Sequence, residues 1–364
     1  MKIGIILGTR PEIIKMSPII RELEKRNIEY SIIHTGQHYS YNMDRVFFED
    51  LELPEPEYKL NVGEKYHTHG SQTGEMIKEI EKILVREDVN IVLVEGDTNS
   101  VLAGGISASK LHIPVGHVEA GLRSFDRRMP EEINRIIVDH LSDLLFAPTE
   151  VAKSNLIKEG IPDNRIFVTG NTIVDAVYQN LEIAKKRSNI LNVLGLKERE
   201  YVIVTVHREE NVDKKENLIK IVKILNEIHY PSIFPMHPRT KKRLEEYGLT
   251  IKNPYLRVIE PLGYLDFLLL LSKAKIVLTD SGGIQEEANI LHIPCLTLRD
   301  NTERPETVKV GSNIVVGREI YKILNIIIEI FNGEKYDYMR ETPIIFGDGK
   351  SGKVIVDILE SWRG

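Results

Sequence analysis

The chain has 364 residues, 42% of them hydrophobic and 28% charged, with a formal net charge of −6. That length suits two ordinary domains better than one, and the mild acidic balance argues against nucleic acid as a partner, because a phosphate backbone calls for a concentrated basic face. Cys295 is the single cysteine, which excludes an intrachain disulfide, a cysteine-based zinc site and a redox CxxC pair.

The first apolar run, residues 3–7, is too short for a signal peptide and leads into charge rather than a cleavage site. No apolar stretch reaches membrane-spanning length, so a cytoplasmic protein without a membrane partner is expected. Further short apolar runs at residues 30–34, 91–95, 114–118, 144–148 and 166–169 read as strands, with helical stretches at 75–84, 131–141 and 151–159 among them. Continuously apolar strands without in/out alternation are what a parallel sheet covered on both faces requires. A charged helical region at about 172–200 comes next. A second strand series follows at 201–207, 232–236, 257–259, 275–279 and 294–298. The expected fold class is α/β, with two doubly wound Rossmann-like domains whose parallel sheets face a central cleft. The N-terminal domain is expected over 1–172, with a C-terminal helix at about 350–364 packing back on it, and the second domain over 173–349.

Ligands of such sheets bind outside the carboxyl ends of the strands, so the residues there are the candidates. Arg10 and Lys15 follow the first strand and could bring positive charge toward a diphosphate. Asp97 follows the run 91–95, Glu119 follows 114–118, and Glu131 opens the next helix behind Pro130. An acid in these places often only caps a helix. Three carboxylates gathered in one cleft would repel one another and push at least one toward a neutral acid suited to proton transfer. In the second half His207 ends a strand, and Asp280 leads into Ser281, Gly282 and Gly283. A strand entering a helix through small residues leaves free N–H groups and a positive dipole end, a setting for phosphate. Glu286 and Glu287, in the first turns of that helix, could hold sugar or ribose hydroxyls.

The segments GTRPEIIKMSP, EGDTNS, GHVEAGLRS, PEEINR, VTVHREEN, LTDSGGIQEEA and RDNTERPE occur in the order and spacing of the UDP-N-acetylglucosamine 2-epimerases. Over essentially its whole length the chain resembles the non-hydrolysing, single-function branch of that family. The resemblance implies the GT-B architecture, a homodimer, and UDP-N-acetylglucosamine, UDP-N-acetylmannosamine and UDP as ligands. It implies Asp97, Glu119 and Glu131 as acid–base carboxylates and His207 beside the diphosphate. Arg10, Lys15 and Arg135 would contact the nucleotide-sugar, the Ser281–Gly282–Gly283 loop the diphosphate, Glu287 the ribose, Phe267 the uracil, and Arg304 the ligand as well. Gln37 and His38, in the loop after the second strand, would belong to a regulatory substrate site. No cofactor is expected, since the glycines near the start do not make a dinucleotide fingerprint. Nor is a metal: there is no Asp-x-Asp pair, and His67 and His69 have ligand-like spacing without a partner constellation.

The chemistry explains the residue types. Carbon 2 bears no carbonyl, so a carboxylate of pKa about 4 cannot remove its proton directly. The bond to UDP must break first or nearly so, after which a carboxylate can take the acidified proton and leave a glycal. Proton return on the other face and re-addition of UDP complete the inversion. A hydrolysing epimerase releasing N-acetylmannosamine and a GT-B glycosyltransferase are the alternatives at this level.

Overall fold

Short, fully buried apolar strands dominate both halves of the chain. The computed structural model describes residues 1–37 and 41–362, so the expected regulatory residue His38 lies outside the described residues. The chain divides into two compact units, one formed by Met1–Gln179 with Phe346–Gly364 and the other by Asn180–Ile345.

The first unit runs through β1 (Lys2–Leu7), α1 (Arg10–Arg26), β2 (Glu29–His34), α2 (Tyr41–Asp50), β3 (Tyr58–Lys59), α3 (His69–Glu87) and β4 (Ile91–Glu95). It continues with α4 (Asn99–Lys110), β5 (Val115–Val118), α5 (Pro130–Leu141), β6 (Leu144–Ala147), α6 (Glu150–Lys158), β7 (Ile166–Val168) and α7 (Thr172–Arg187). Its seven strands pair in the order β3-β2-β1-β4-β5-β6-β7, all parallel. Ile6, Val92 and Val94 of the sheet pack with Met76 and Ile80 of α3 and Val101 of α4, all essentially without solvent exposure. The strand order reverses between β1 and β4, so the loops after these two strands leave in opposite directions and open a crevice. Gly8 is obligatory in the first of them: a Cβ there would lie 1.9 Å from Thr35 Oγ1 and 2.3 Å from Ser100 Oγ.

The second unit contains α8 (Ile190–Leu194), β8 (Val202–Thr205), α9 (Glu209–Val212), α10 (Lys215–Asn226), β9 (Ser232–Pro235), α11 (Pro238–Tyr247), β10 (Leu256–Ile259) and α12 (Tyr264–Ser272). β11 (Ile276–Thr279), α13 (Gly282–Ile290), β12 (Cys295–Thr297), α14 (Pro305–Val310), β13 (Asn313–Val315), α15 (Ile320–Asn332) and α16 (Glu334–Arg340) complete it. Its six strands are parallel in the order β10-β9-β8-β11-β12-β13. Here the order reverses between β8 and β11, which places the loops after Thr205 and Thr279 at the crevice.

The border between the units falls within α7. The last helix, α17 (Ser351–Ser361), lies against α1, where Gly352 approaches Pro18 so closely that a Cβ would sit 3.0 Å from it. Asp175 of α7 accepts the Ser351 and Gly352 amides at 3.1 and 3.0 Å. It thereby satisfies two of the donors that a helix start leaves open. Among the described residues no helix is long and apolar enough to cross a membrane.

Candidate active site

In the first unit the crevice loops carry acids held by cations. Asp97 follows β4, and its carboxylate takes Arg135 Nε at 3.0 Å and Nη2 at 2.6 Å, while Arg135 Nη1 reaches Glu132 at 2.8 Å. Asn134 holds the Asp97 carbonyl at 2.8 Å. Arg135, expected as a ligand contact, holds an acid in this structure. Glu119 follows β5 with φ +70°, a left-handed conformation that costs a side chain with a Cβ roughly 1–2 kcal/mol. Its carboxylate accepts from the Lys15 ammonium and, at 2.9 Å, from Asn171 Nδ2. Lys15 also lies 3.3 Å from Glu95 Oε1. Glu131 sits half-buried in the first turn of α5, next to the fully buried Glu132.

Two networks lock these loops together, and neither was read from the motifs. His117 of β5 is fully buried, with Nδ1 2.7 Å from Asp139 and Nε2 2.8 Å from the Gly96 carbonyl. Acceptors at both nitrogens call for the doubly protonated ring. Burial opposes that charge, but Asp139 outweighs it and raises the pKa. Asp139 also binds Arg123 and the Gly121 amide. Glu12 is the second lock, accepting from Gly8 N, Thr9 N and Thr98 Oγ1 at 2.6, 3.2 and 2.5 Å. Burial pushes its carboxyl up to about 7 against the pull of those bonds. Its place three residues after Thr9 was a legible capping-box signal. Glu95 gave no signal, because it ends an apolar strand. Burial, with Glu119, Glu12 and Asp97 nearby, raises its acid well above the ordinary range despite Lys15.

Arg10 binds Asp44 at 3.0 Å and stacks on Phe47 at 4.8 Å. Gln37 is buried, and its side-chain Oε1 accepts from the Ser100 amide and hydroxyl at 2.9 and 2.8 Å, so it joins the loop after β2 to α4. His69 Nδ1 lies 3.2 Å from the Asn99 amide. No group of three or more His, Cys, Asp or Glu among the described residues could hold a metal ion.

In the second unit Asp280 follows β11 and is fully buried. It accepts from His207 N at 3.0 Å, Arg208 N at 2.9 Å and Asn211 Nδ2 at 3.0 Å, with His207 Nδ1 at 3.1 Å. Burial works against its charge, yet His207 and the other donors hold the carboxyl below its usual range. The imidazole is thereby oriented with Nδ1 toward Asp280, and it lies 5.5 Å from the His237 ring. Ser281 precedes the nine-residue α13, so the amides at Gly282 and Gly283 belong to its open N-terminus. A Cβ at Gly283 would meet nothing within 4 Å. Nearby, Arg208 and Arg299 reach Glu303 at 3.5 and 3.4 Å. Both arginines also line an open depression of about 520 Å³ with Glu210 and Lys214. Glu287 is buried on α13, and burial together with Glu286 pushes its acid up to about 8. Glu286 is paired with Arg304, and Phe267 is half-buried on α12.

Comparison with known proteins identifies relatives over nearly the whole chain. A family model described as UDP-N-acetylglucosamine 2-epimerase matches residues 21–360. The UDP-N-acetylglucosamine 2-epimerase of Methanocaldococcus jannaschii is 57% identical over 368 residues, covering 99% of each chain. A crystal structure of the epimerase from that organism, in complex with UDP-GlcNAc and UDP, superposes with a TM-score of 0.86 at 56% identity over 100% of both chains. The UDP-2,3-diacetamido-2,3-dideoxy-D-glucuronate 2-epimerase of Pseudomonas aeruginosa is 41% identical over 99% of each chain.

Proposed function

The chain belongs to the UDP-N-acetylglucosamine 2-epimerase family, an isomerase family, and from that membership we propose how its own residues divide the reaction. The substrate is UDP-N-acetylglucosamine, and the product is UDP-N-acetylmannosamine, formed by elimination and re-addition of UDP through a glycal. It feeds surface polysaccharide or glycan synthesis. The second unit manages the diphosphate: the α13 N-terminus at Ser281–Gly283 and His207, oriented by Asp280, stabilise its charge as the C–O bond opens. Charge-assisted bonds of about 1.5–3 kcal/mol each make several donors a substantial share of the barrier reduction. Glu287, near neutral at its raised pKa, can donate as well as accept at a ribose hydroxyl. Phe267 serves the base.

The first unit manages the proton. Asp97, Glu119 and Glu131 share removal and return of the carbon 2 proton and stabilisation of the oxocarbenium-like sugar. The observation that carries this reading is the Lys15–Glu119–Asn171 arrangement at the end of β5. There, a strained backbone turns a carboxylate out of the sheet and two donors hold it in one orientation, as a general base needs. Arg135 keeps Asp97 in place. Arg10, Lys15 and Arg304 assist the ligand while engaged by Asp44, Glu119 and Glu286. The active form is a homodimer in the cytoplasm, and Gln37 marks the loop of a regulatory substrate site.

Proton NMR of UDP-N-acetylglucosamine with the enzyme in deuterated water tests the reaction. Deuterium entering carbon 2, together with a manno-configured signal, is the expected result. Release of free N-acetylmannosamine would instead favour the hydrolysing reaction. The Pseudomonas relative's name indicates inversion at the same carbon of a more decorated sugar, so that nucleotide-sugar is the informative competitor. Turnover of it in preference to UDP-N-acetylglucosamine would reassign the substrate.

A further inference from the structure

β4 ends on a carboxylate with no role so far. Glu95 is 2% exposed. It sits in the first unit within electrostatic reach of Glu12 on α1, Asp97 in its own loop and Glu119 beyond β5, and it faces the Lys15 ammonium at 3.3 Å. A buried acid among acids is a liability, and an apolar residue closing an apolar strand would be more stable. Its presence therefore calls for a functional reason.

The register supplies one. Glu95 pairs with Val118 across the parallel β4–β5 ladder, so Glu119 lies one residue beyond the partner of Glu95. The Lys15 ammonium, arriving from α1, meets both acids. A lysine stem has four rotatable carbons, so the groups around its ammonium decide where that charge sits. Two carboxylates hold it between them, Glu119 just beyond β5 by a hydrogen bond and Glu95 at the end of β4 by an ion-pair contact at 3.3 Å.

We propose that Glu95 is a positioning residue for the epimerisation: it anchors the Lys15 ammonium and so fixes the Glu119 carboxylate in its working orientation. This rests on the reaction proposed above. Glu95 need not touch the sugar.

The experiment compares three variants of the full chain with UDP-N-acetylglucosamine as substrate, reading kcat, KM and Tm. Glu95→Leu fills the buried space but offers no acceptor. Its Tm should equal or exceed that of the parent, while kcat falls about a hundredfold, the scale of a misplaced catalytic group, and KM changes far less. Glu95→Gln keeps an oxygen at the same reach and should retain kcat within about fivefold. Glu95→Asp keeps the carboxyl group but withdraws it by one methylene, and should resemble Leu. If Glu95→Leu does not fold, the Gln and Asp contrast decides alone: Gln active and Asp impaired supports the proposal, and the reverse overturns it. A Leu variant as active as the parent overturns it, as does a Gln variant as impaired as Leu. Parent enzyme that places no deuterium at carbon 2 counts against the reaction itself, whereas parent turnover with an indifferent Leu variant counts against Glu95 only.

Discussion

Asp280 is the most demanding test of the second unit, because four donors converge on one buried carboxylate. Asp280→Ala leaves His207 N, Arg208 N and Asn211 Nδ2 without that acceptor. At about 1–3 kcal/mol for each buried donor left unsatisfied, the loss is about 3–9 kcal/mol. For a domain of 150–250 residues, a loss of 3 kcal/mol lowers Tm by about 6–12 °C. Asp280→Asn is gentler, and its geometry is determinate. Oδ2 serves three donors, His207 N, Arg208 N and Asn211 Nδ2, so the one oxygen of asparagine belongs there. The NH2 then faces His207 Nδ1, which must become an acceptor and move its proton to Nε2. The expected cost is about 1–2 kcal/mol, from charge-assisted bonds becoming neutral ones. Losing an orienting carboxylate should lower kcat by about tenfold to a hundredfold.

The sign with pH follows from the depressed carboxyl. In the unfolded chain this acid titrates near 3.9. Its contribution is therefore present above that value and is lost as pH falls through the lower folded-state pKa. Denaturant unfolding of parent and both variants gives the free energies, and nitrogen-15 spectra of the histidines give the tautomer. An Asp280→Ala variant within about 1 kcal/mol of the parent, or an Asn variant that retains the Nδ1–H tautomer, would refute the reasoning.

Other outcomes follow from the same structure. Gly121→Ala meets both a φ of +83° and an Ala152 carbonyl 2.4 Å from the new Cβ; destabilisation of at least about 2 kcal/mol should appear in denaturant unfolding. Arg135→Lys cannot bridge Asp97 and Glu132 with one fork; kcat/KM should fall about tenfold or more, with little change in Tm. Glu287→Gln should bind UDP like the parent at neutral pH and diverge above about 8, where the parent carboxyl ionises. Its raised pKa means that parent stability declines as pH rises from about 4.3 toward 8. Calorimetry should therefore show the Gln variant gaining on the parent across that window.

Much of the fold was legible in the sequence for one reason. Strands covered on both faces must be continuously apolar, and runs such as VIVT and IVLT permit few other readings. Strand-end residues were legible as a group because open parallel sheets expose only those loops to ligands. What each residue holds was not legible. Lys15 reaches Glu119 across 104 positions, Arg135 reaches Asp97 across 38, and Asp280 gathers donors 69 to 73 residues away. A cation read only as a nucleotide-sugar contact can also restrain an acid, as Arg135 does. Glu95 and His117 were missed because local sequence carries no record of burial, whereas Glu12 carried a capping-box spacing that went unread. A glutamate closing a strand looks like solvent-facing polarity until a second strand and a helix enclose it. The sequence by itself determined which elements form and which loops stand at the strand ends, since periodicity and chain geometry act locally. Only the tertiary structure decided which acids share a cation and which carry a proton, since charge and desolvation act through space.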